Sequence, residues 1–284
     1  MKALLAGAGA AATLSSPGPP TGWWRFSRSA ILQIAGKPVV LVLPGMPPGP
    51  LQVVVDELPG SAGCLDALDP ERIPRWHGAL PDPAALAQAL DIAAQAAEWG
   101  AEGTLVPAGR WGAAGRALAE GDLEAAAGVL GGAGPGLTPA GDDALCGLFF
   151  ALRARFGAPA ASWLRPLAAS VETTALASAA LGWAAAGQAL APAHDLLCAG
   201  ARGDALGAQA AARALATVGH SSGADFACGL AAGLRFRGPA APTCTRGTAR
   251  GCTTPPTWAE PPWNGGWRGV NQPQGAADGG FIGD

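Results

Sequence analysis

The sequence is poor in lysine and contains no tyrosine. Its two lysines, Lys2 and Lys37, stand against sixteen arginines among 284 residues. Because no lysine follows Lys37, the Gly-Lys-Ser/Thr signature of a P-loop protein is absent. Charged residues make up only 14% of the chain and the net charge is −3, which excludes a general electrostatic attraction to nucleic acid or anionic lipid.

The six cysteines lack any Cys-x-x-Cys pair, which excludes a zinc ribbon and a thioredoxin-like redox site. Cys146, Cys198 and Cys228 lie among alanine, leucine and phenylalanine, where a reduced cysteine behaves as a small buried hydrophobe. We therefore expect reduced thiols and a cytoplasmic location.

Long apolar runs are also missing, since no segment reaches the roughly 18 residues that a membrane-spanning helix needs. Residues 1–12 (MKALLAGAGAAA) have one cation and a short apolar run, as signal peptides do. Their glycines and short length argue against a span, and we expect neither a cleaved export signal nor a membrane partner.

Glycine and proline are abundant, with 43 and 26 copies, and their distribution divides the chain. Residues 1–29 are expected to be loosely ordered. Short β-branched runs in residues 30–81 predict a small antiparallel sheet. Residues 82–238 have the pattern of an alanine-rich helical domain. Residues 239–284 lack periodicity and are expected to be a disordered tail or an out-of-frame translation. The predicted fold class is α+β, with the small antiparallel β region preceding the helical domain.

Helices in the second region are predicted from capping residues and apolar spacing. Asp82 and Pro83 begin a predicted helix that Gly100 ends. Residues 104–106 are expected to form one more strand. Further helices are predicted over residues 112–119, 122–130, 143–156, 160–172, 175–187, 194–200, 204–217 and 224–235.

A glycine-rich loop at residues 131–141 (GGAGPGLTPAG) runs directly into Asp142 and Asp143 and an apolar helix. Glycines let the backbone bend so that N–H groups converge, and a helix N-terminus adds unpaired N–H groups with a partial positive charge. The loop therefore predicts an anion site. It is not the dinucleotide-binding fingerprint, because no predicted strand directly precedes it.

A second loop at residues 219–225 (GHSSGAD) also precedes an apolar helix. The two motifs align at a constant offset of 82 residues and share Gly-x-Asp-x-x-Cys-Gly-Leu. The shared Gly147 and Gly229 lie inside predicted helices, where glycine costs about 1 kcal/mol relative to alanine. Such a cost is tolerated where a neighbouring backbone comes very close. We expect two equivalent loop–helix units, packed about a pseudo-twofold axis, with both helix N-termini facing one ligand.

The acidic residues of these motifs have two interpretations at this point. Asp143 and Asp225 fit helix N-caps, which contribute about 1 kcal/mol each. Asp142 and Asp143 equally fit ligands of Mg²⁺ or of a substrate, because adjacent carboxylates beside a phosphate site need a cation between them. Mg²⁺ is the one cofactor that this pattern admits.

His220 differs from the other histidines because it lies on a loop, between Gly219 and Ser221. This position fits proton transfer or hydrogen bonding to a ligand. His194 follows Pro192 at the start of a predicted helix and is expected to be structural. A Ser/His/Asp triad is disfavoured, because neighbours in sequence rarely satisfy its geometry and no nucleophile elbow is present.

The two loops and a segment between them resemble the AllH family. The likeness is carried by residues 134–143 (GPGLTPAGDD), 173–181 (TTALASAAL) and 219–225, and it covers about residues 100–236. The family usually has serine after the Thr-Pro pair, where this chain has Ala140. The missing hydroxyl removes one hydrogen bond to the ligand and leaves the backbone N–H groups in place.

The resemblance implies one subunit of the oxamate carbamoyltransferase of allantoin breakdown, working with further subunits. The implied reaction is phosphorolysis of the carbamoyl group of oxalurate to oxamate and carbamoyl phosphate, or its reverse. Glycine-loop N–H groups would bind the phosphate, and the second helix N-terminus would bind the carboxylate of oxamate or oxalurate.

The implied catalytic residue is His220, which would move a proton on or off the departing nitrogen. The implied substrate-binding residues form two sides. The phosphate side contains Gly134, Gly136, Leu137 and Thr138. The side of the transferred or carboxylate-bearing group contains Ser221 and Ser222, and Gly141 and Gly223 are further substrate-binding residues. Asp142, Asp143 and Asp225 would hold the loops or a cation.

Two other functions are consistent with the same residues. A scaffold or regulatory subunit would use the loops to bind a partner chain, and the isolated protein would bind no small molecule. A Mg²⁺-dependent phosphotransferase would hold its metal with Asp142 and Asp143 and bind a nucleotide, although the sequence shows no adenine pocket.

Overall fold

The computed structural model describes residues 1–16, 18–61 and 69–237. In this part of the chain, a six-stranded sheet is followed by a helical region that begins at residue 83. The predicted α+β class is therefore confirmed. The predicted tail, residues 239–284, lies outside the described residues.

The sheet differs from the prediction because it is mixed rather than wholly antiparallel. Strands β4 and β5 pair in parallel, as do β1 and β6, whereas the other three pairings are antiparallel. A tight turn at Gly36, with φ of +76°, joins β3 and β4 as a hairpin. The proline-rich residues 43–51 make no such hairpin, and β5 therefore runs parallel to β4. In chain order the strands are β1 (Ala3–Gly7), β2 (Pro20–Arg25), β3 (Ser29–Ile34), β4 (Lys37–Val42), β5 (Gln52–Val55) and β6 (Arg75–Trp76), and their order across the sheet is β2-β3-β4-β5-β1-β6.

Residues 1–29 are not loosely ordered as expected, because they contain β1, β2 and a short helix, α1 (Ala8–Leu14). Strand β1 lies inside the sheet, between β5 and β6. Helix α1 buries Ala10 and Ala11 in the core of the sheet. The small side chains of this segment give it the appearance of a flexible leader, although they allow close packing.

The helical region contains every predicted helix, with changes at some boundaries. The helix predicted from Asp82 to Gly100 is divided at Ala89, and residues 104–106 form no strand. No helix in the described ranges is long and apolar enough to cross a membrane. The helices are α2 (Pro83–Gln88), α3 (Leu90–Gly100), α4 (Ala108–Glu120), α5 (Leu123–Leu130), α6 (Ala140–Phe156), α7 (Ala161–Ser170), α8 (Ala175–Ala185), α9 (Ala191–Ala201), α10 (Ala205–Ala216) and α11 (Ser222–Arg235).

Aspartate and threonine side chains begin four of these helices. The predicted caps are confirmed, since Asp82 accepts hydrogen bonds from the first turn of α2 and Asp122 does so for α5. Thr174 and Asp204 cap α8 and α10 in the same way. Each such cap contributes about 1 kcal/mol to stability.

Helix α6 forms the centre of the helical region, where thirteen of its seventeen residues are buried. Its apolar side chains include Phe149 and Phe150, both fully buried. Helices α2, α5, α8 and α11 pack around it. A helix that is covered on all sides needs no polar face, which explains the absence of an amphipathic stripe.

His194 and Gln188 connect the helical region to the segment after the sheet. The Nδ1–H of His194 donates to the Ala79 carbonyl at 3.0 Å, and its Nε2 accepts from the Ala189 N–H at 3.2 Å. These partners require the neutral ring, and burial lowers the pKa of His194 accordingly. Gln188 forms two hydrogen bonds with the backbone of Gly78. His194 is therefore structural, as expected.

The cysteines of the described ranges, Cys146, Cys198 and Cys228, are free thiols. Burial raises the pKa of all three thiols, that of Cys228 to about 11. A raised pKa keeps a thiol protonated and weakly nucleophilic. Cys146, on α6, lies in the hydrophobic core of the helical region, as a small hydrophobic side chain would.

Glycines bring the backbones of α6 and α11 into contact. A Cβ atom on Gly147 would lie 1.9 Å from the carbonyl oxygen of Phe226. A Cβ atom on Gly229 would lie 1.7 Å from the carbonyl oxygen of Ala144. The two contacts are equivalent, because the 82-residue offset relates Gly147 to Gly229 and Ala144 to Phe226. The sequence repeat therefore corresponds to a pseudo-twofold relation between the two helices.

The two helices also run in the same direction. Gly229 contacts Ala144, and four residues further along α11, Gly233 contacts Leu148 of α6. Because the contact moves four residues forward along both helices, the two helices are parallel where they meet. Parallel helices in register have their N-termini at the same end, so the two motif loops lie side by side.

We expect Gly147→Ala to destabilise the protein by about 1–3 kcal/mol, because the added methyl group would push α11 away from α6. Gly115→Ala in α4 is the matched control, since its Cβ atom would have no neighbour within 4 Å. The control should gain about 0.4–1 kcal/mol from reduced backbone freedom. Urea denaturation measures both free energies of unfolding, and equal values for the two variants would contradict the close approach.

Candidate functional site

The glycine-rich loop of residues 131–139 wraps around the N-terminus of α6. Gly132, Gly134 and Gly136 have φ angles of +64°, +126° and +94°. Only glycine adopts this left-handed region without strain, so the loop can form its tight bends at these three positions. A Cβ atom on Gly136 would meet nothing within 4 Å, which shows that the loop is open at that point.

Several backbone N–H groups of this loop are available to a ligand. They belong to residues at the loop's exposed bend and to the residues leading into α6. Unpaired N–H groups at a helix N-terminus are typical of anion sites. Within the described residues no hydrogen bond uses the backbone N–H groups of Gly134, Gly136, Leu137 or Thr138, the four residues predicted for the phosphate side.

Asp142 and Thr174 fix the shape of this loop. Asp142 is buried, and its Oδ1 accepts from the Gly132 N–H at 2.9 Å while its Oδ2 accepts from the Thr173 hydroxyl. The Thr174 hydroxyl donates to the Leu137 carbonyl at 2.5 Å. Burial raises the pKa of Asp142, and its two hydrogen bonds oppose that rise. Asp142 therefore holds the loop with both oxygens, which fits poorly with the predicted metal pair of Asp142 and Asp143.

The second loop, residues 219–222, lies against the first. The hydroxyl groups of Ser222 and Thr138 are 3.2 Å apart and share a hydrogen bond. In the described ranges no hydrogen bond uses the backbone N–H groups of His220, Ser221 or Ser222. The expectation that the two loops lie together is therefore confirmed, and each presents free backbone donors.

The side chain of His220 is exposed and makes no hydrogen bond to any described residue. It follows Gly219, which has a φ angle of +64°, and it precedes Ser221, the N-cap residue of α11. The histidine can therefore reach a ligand in the loop region without breaking a contact of the protein. Its catalytic role stays a prediction.

Gly141 and Gly223 occupy equivalent positions in the two units, and both pack against backbone. Their Cβ atoms would lie 2.1 Å from the Leu130 carbonyl oxygen and 1.8 Å from the Leu215 carbonyl oxygen. Each glycine thus lets the start of its helix pack on the end of the preceding one. Packing explains the need for glycine here, and ligand contact at these two residues stays a prediction.

Asp143 and Asp225 do not cap their helices, so the N-cap interpretation is wrong. The N-cap positions are Pro139 for α6 and Ser221 for α11, and neither side chain makes a cap hydrogen bond. The backbone N–H of Asp143 donates to Pro139, and that of Asp225 donates to Ser221. Both helices begin one turn earlier than a cap would require, which places the two carboxyl groups at the end of the first turn.

Asp225 is fully buried, and its carboxyl group binds a distant loop. Its Oδ1 accepts from the Thr104 hydroxyl and from the Leu105 N–H, both at 2.7 Å. Its Oδ2 is also buried and has no hydrogen-bond partner. Thr104 and Leu105 were expected to form a strand, and their role was missed because about 120 residues separate them from Asp225.

Asp143 resembles Asp225 in one respect: its Oδ2 is also buried and has no hydrogen-bond partner. Burial raises the pKa of Asp143 well above its usual range, whereas the nearby Ser222 and Thr138 hydroxyls oppose the rise. The negative charges of Asp225 and Asp142 raise the pKa further. Three interacting carboxyl groups therefore lie at the N-terminal end of the two helices.

Two parallel helices, each preceded by a loop whose N–H groups form no hydrogen bond within the described residues, make up an internally repeated loop–helix module. Residues 130–234 of this chain match the model of the family described as oxamate carbamoyltransferase subunit AllH, which confirms the family resemblance. The match contains both loops, α6 and α11, and it relates this part of the chain to a carbamoyltransferase subunit. Neither the curated proteins nor the solved structures include a match to the chain.

We expect the stability contributed by Asp143 to fall as the pH rises. Because its pKa is raised on folding, the folded state binds the proton more tightly, and this contribution is complete only below the ordinary value of 3.8. The contribution is lost as the pH rises through the folded pKa. Asp143→Asn remains neutral throughout.

Urea denaturation with a chelator present, from about pH 5 to about pH 8, checks this expectation. The stability of Asp143→Asn relative to the unmodified protein should increase steadily across the range. A difference between the two proteins that does not change with pH would show that Asp143 titrates as it does in the unfolded chain.

Proposed function

We propose that this protein is a subunit of a carbamoyltransferase that interconverts oxalurate and phosphate with oxamate and carbamoyl phosphate. The observation that carries the proposal is the hydrogen bond between Thr138 and Ser222. It joins two loops with free backbone donors at one end of a parallel helix pair. The family match, over both loops, supports the same reaction class.

The first loop suits the phosphate group of carbamoyl phosphate. Its four free N–H groups begin at Gly134 and end at Thr138, next to the N-terminus of α6. A helix N-terminus favours negative charge, and several converging N–H groups can bind the oxygens of a small dianion. The open space at Gly136 gives the phosphate a place to approach the backbone.

The second loop suits the organic anion. The free N–H groups of His220, Ser221 and Ser222 lie at the N-terminus of α11, where a carboxylate of oxamate or oxalurate would be stabilised. The same donors would stabilise the negative oxygen that develops on the carbamoyl carbon in the transition state. Two loops with separate donors can therefore hold two anionic groups.

Proton transfer completes the proposed reaction. In phosphorolysis, a phosphate oxygen attacks the carbamoyl carbon of oxalurate and a tetrahedral intermediate forms. Its bond to the oxamate nitrogen then breaks, and that nitrogen takes a proton as it leaves. His220 is the proposed donor because it is exposed beside the loop and has no competing partner among the described residues.

The proposal includes further chains, because the matching family is described as a subunit. Allantoin catabolism is the proposed setting, since the oxamate reaction belongs to it. A scaffold or regulatory subunit is the second candidate, favoured because both loops contain exposed residues that a partner chain could contact. The first of the following experiments distinguishes the two, because a scaffold would bind no small anion.

We expect Gly136→Val to abolish binding of phosphate and carbamoyl phosphate. The branched side chain would fill the open space at the loop, and a φ of +94° disfavours it. Gly203→Val is the matched control, because Gly203 also has a positive φ and open surroundings but lies between α9 and α10. Isothermal titration calorimetry should show binding to the control and to the unmodified protein; its absence from all three would favour the scaffold.

We expect His220→Gln to lower turnover in the reconstituted complex by about 10²–10⁴-fold, the usual contribution of a general acid–base. Affinity for carbamoyl phosphate should change little, because glutamine keeps a hydrogen-bonding group of similar reach. His77→Gln, at the other exposed histidine, is the control and should retain full turnover. Normal turnover by His220→Gln would remove this residue from the mechanism.

A further inference from the structure

We propose that Asp143 and Asp225 together bind one divalent cation, of the Mg²⁺ type, at the N-terminal end of the α6–α11 pair. The site differs from the pair of adjacent aspartates that the sequence suggested. Asp142 is excluded because both of its oxygens hold the loop. Asp225 takes its place as the second carboxylate.

The first observation is that each of these carboxyl groups has one buried oxygen without a partner. The Oδ2 atoms of Asp143 and Asp225 are both of this kind. A buried carboxylate oxygen without a partner is unfavourable, because it has lost its hydration and gained no hydrogen bond in return. None of the ion pairs formed by the described residues involves either group. The two carboxyl groups therefore lack a counter-charge for their ionised forms, which a cation between them would supply.

The second observation is the internal symmetry. Asp143 and Asp225 are related by the 82-residue offset, and each lies at the end of the first turn of its helix. The glycine contacts at Gly147 and Gly229 place these first turns side by side. Asp225 is close enough to act electrostatically on Asp143. A single ion on the pseudo-twofold axis would meet one oxygen from each helix.

The donor chemistry indicates which ion would bind. Carboxylate oxygens meet the hydroxyl groups of Thr138 and Ser222 here, and hard oxygen donors of this kind prefer Mg²⁺, Mn²⁺ or Ca²⁺. In the described ranges no group of three or more His, Cys, Asp and Glu side chains could hold a metal. Two carboxylates suit Mg²⁺, which keeps several waters and completes its shell with phosphate oxygens.

The cation would also resolve a conflict within the site. A dianion bound in the loop would lie close to Asp143 and Asp225, and like charges in a partly buried site repel strongly. A divalent ion between the carboxylates would turn that repulsion into attraction. This step rests on the proposed function, so the cation is tested first without any anion.

The test uses the full chain and Mn²⁺, whose free form is measured by electron paramagnetic resonance. We expect one Mn²⁺ per chain, displaced by excess Mg²⁺, in buffer without phosphate. Asp143→Asn and Asp225→Asn should each weaken Mn²⁺ binding by about tenfold or more. Asp204→Asn, which alters a carboxylate at the start of α10, is the control and should bind Mn²⁺ normally.

Amide NMR spectra locate the ion without any variant, in case Asp225→Asn fails to fold. Bound Mn²⁺ should broaden the amide signals of residues 131–139 and 219–222 before those of strand β2. Absence of stoichiometric Mn²⁺ binding, broadening elsewhere, or unchanged affinity in folded Asp143→Asn would each overturn the proposal. Phosphate binding to a protein that binds no Mn²⁺ would leave the proposed function standing and refute only the cation site.

Discussion

The approach of α6 and α11 to backbone contact is the constraint on which the rest of the site depends. Any side chain larger than hydrogen at Gly147 or Gly229 would meet a carbonyl oxygen of the other helix. Because the two contacts are equivalent, they fix both the spacing and the register of the pair. The loops before the helices are then held together by geometry, and the Thr138–Ser222 hydrogen bond is a result of it.

Neighbouring aspartates serve different purposes because a helix turns about 100° between successive residues. Asp142 points back to the loop before its own helix, where Gly132 and Thr173 satisfy it. Asp143 points toward the second unit and is left with a buried oxygen. The same change of direction explains why Asp142 has no acidic counterpart: the offset places Ala224 at its position in α11.

Helix caps, helices and loops could be predicted from the sequence, whereas the pairing of strands distant in the chain could not. The caps at Asp82 and Asp122, the helices and the two loops follow from short-range patterns and agree with the structure. The parallel pairing of β4 with β5 depends on chain paths that no local pattern specifies. The residues before position 30 were misjudged because alanine and glycine carry little signal for strand or helix.

The site was also predicted only in part: its local features were found, and its long-range contacts were not. The repeat and the adjoining loops could be inferred, because glycines inside helices indicate close packing. Asp143 was wrongly predicted to be an N-cap because α6 begins about one turn earlier, with Pro139 at the N-cap position. Thr104 gave no signal, because a threonine in an irregular segment is ordinary until its partner is known. A carboxyl oxygen that lacks a hydrogen-bond partner can be recognised only when all its neighbours are in place.

The link from Asp225 to Thr104 and Leu105 bears on where the functional module begins. Both partners lie ahead of residue 130, where the family match starts, and they satisfy one oxygen of a fully buried carboxylate. A fragment limited to the matched residues would expose this carboxylate to water and detach it from its support. The smallest autonomous unit is therefore longer than the region of detectable homology, and its upstream part is defined by hydrogen bonding rather than by sequence likeness.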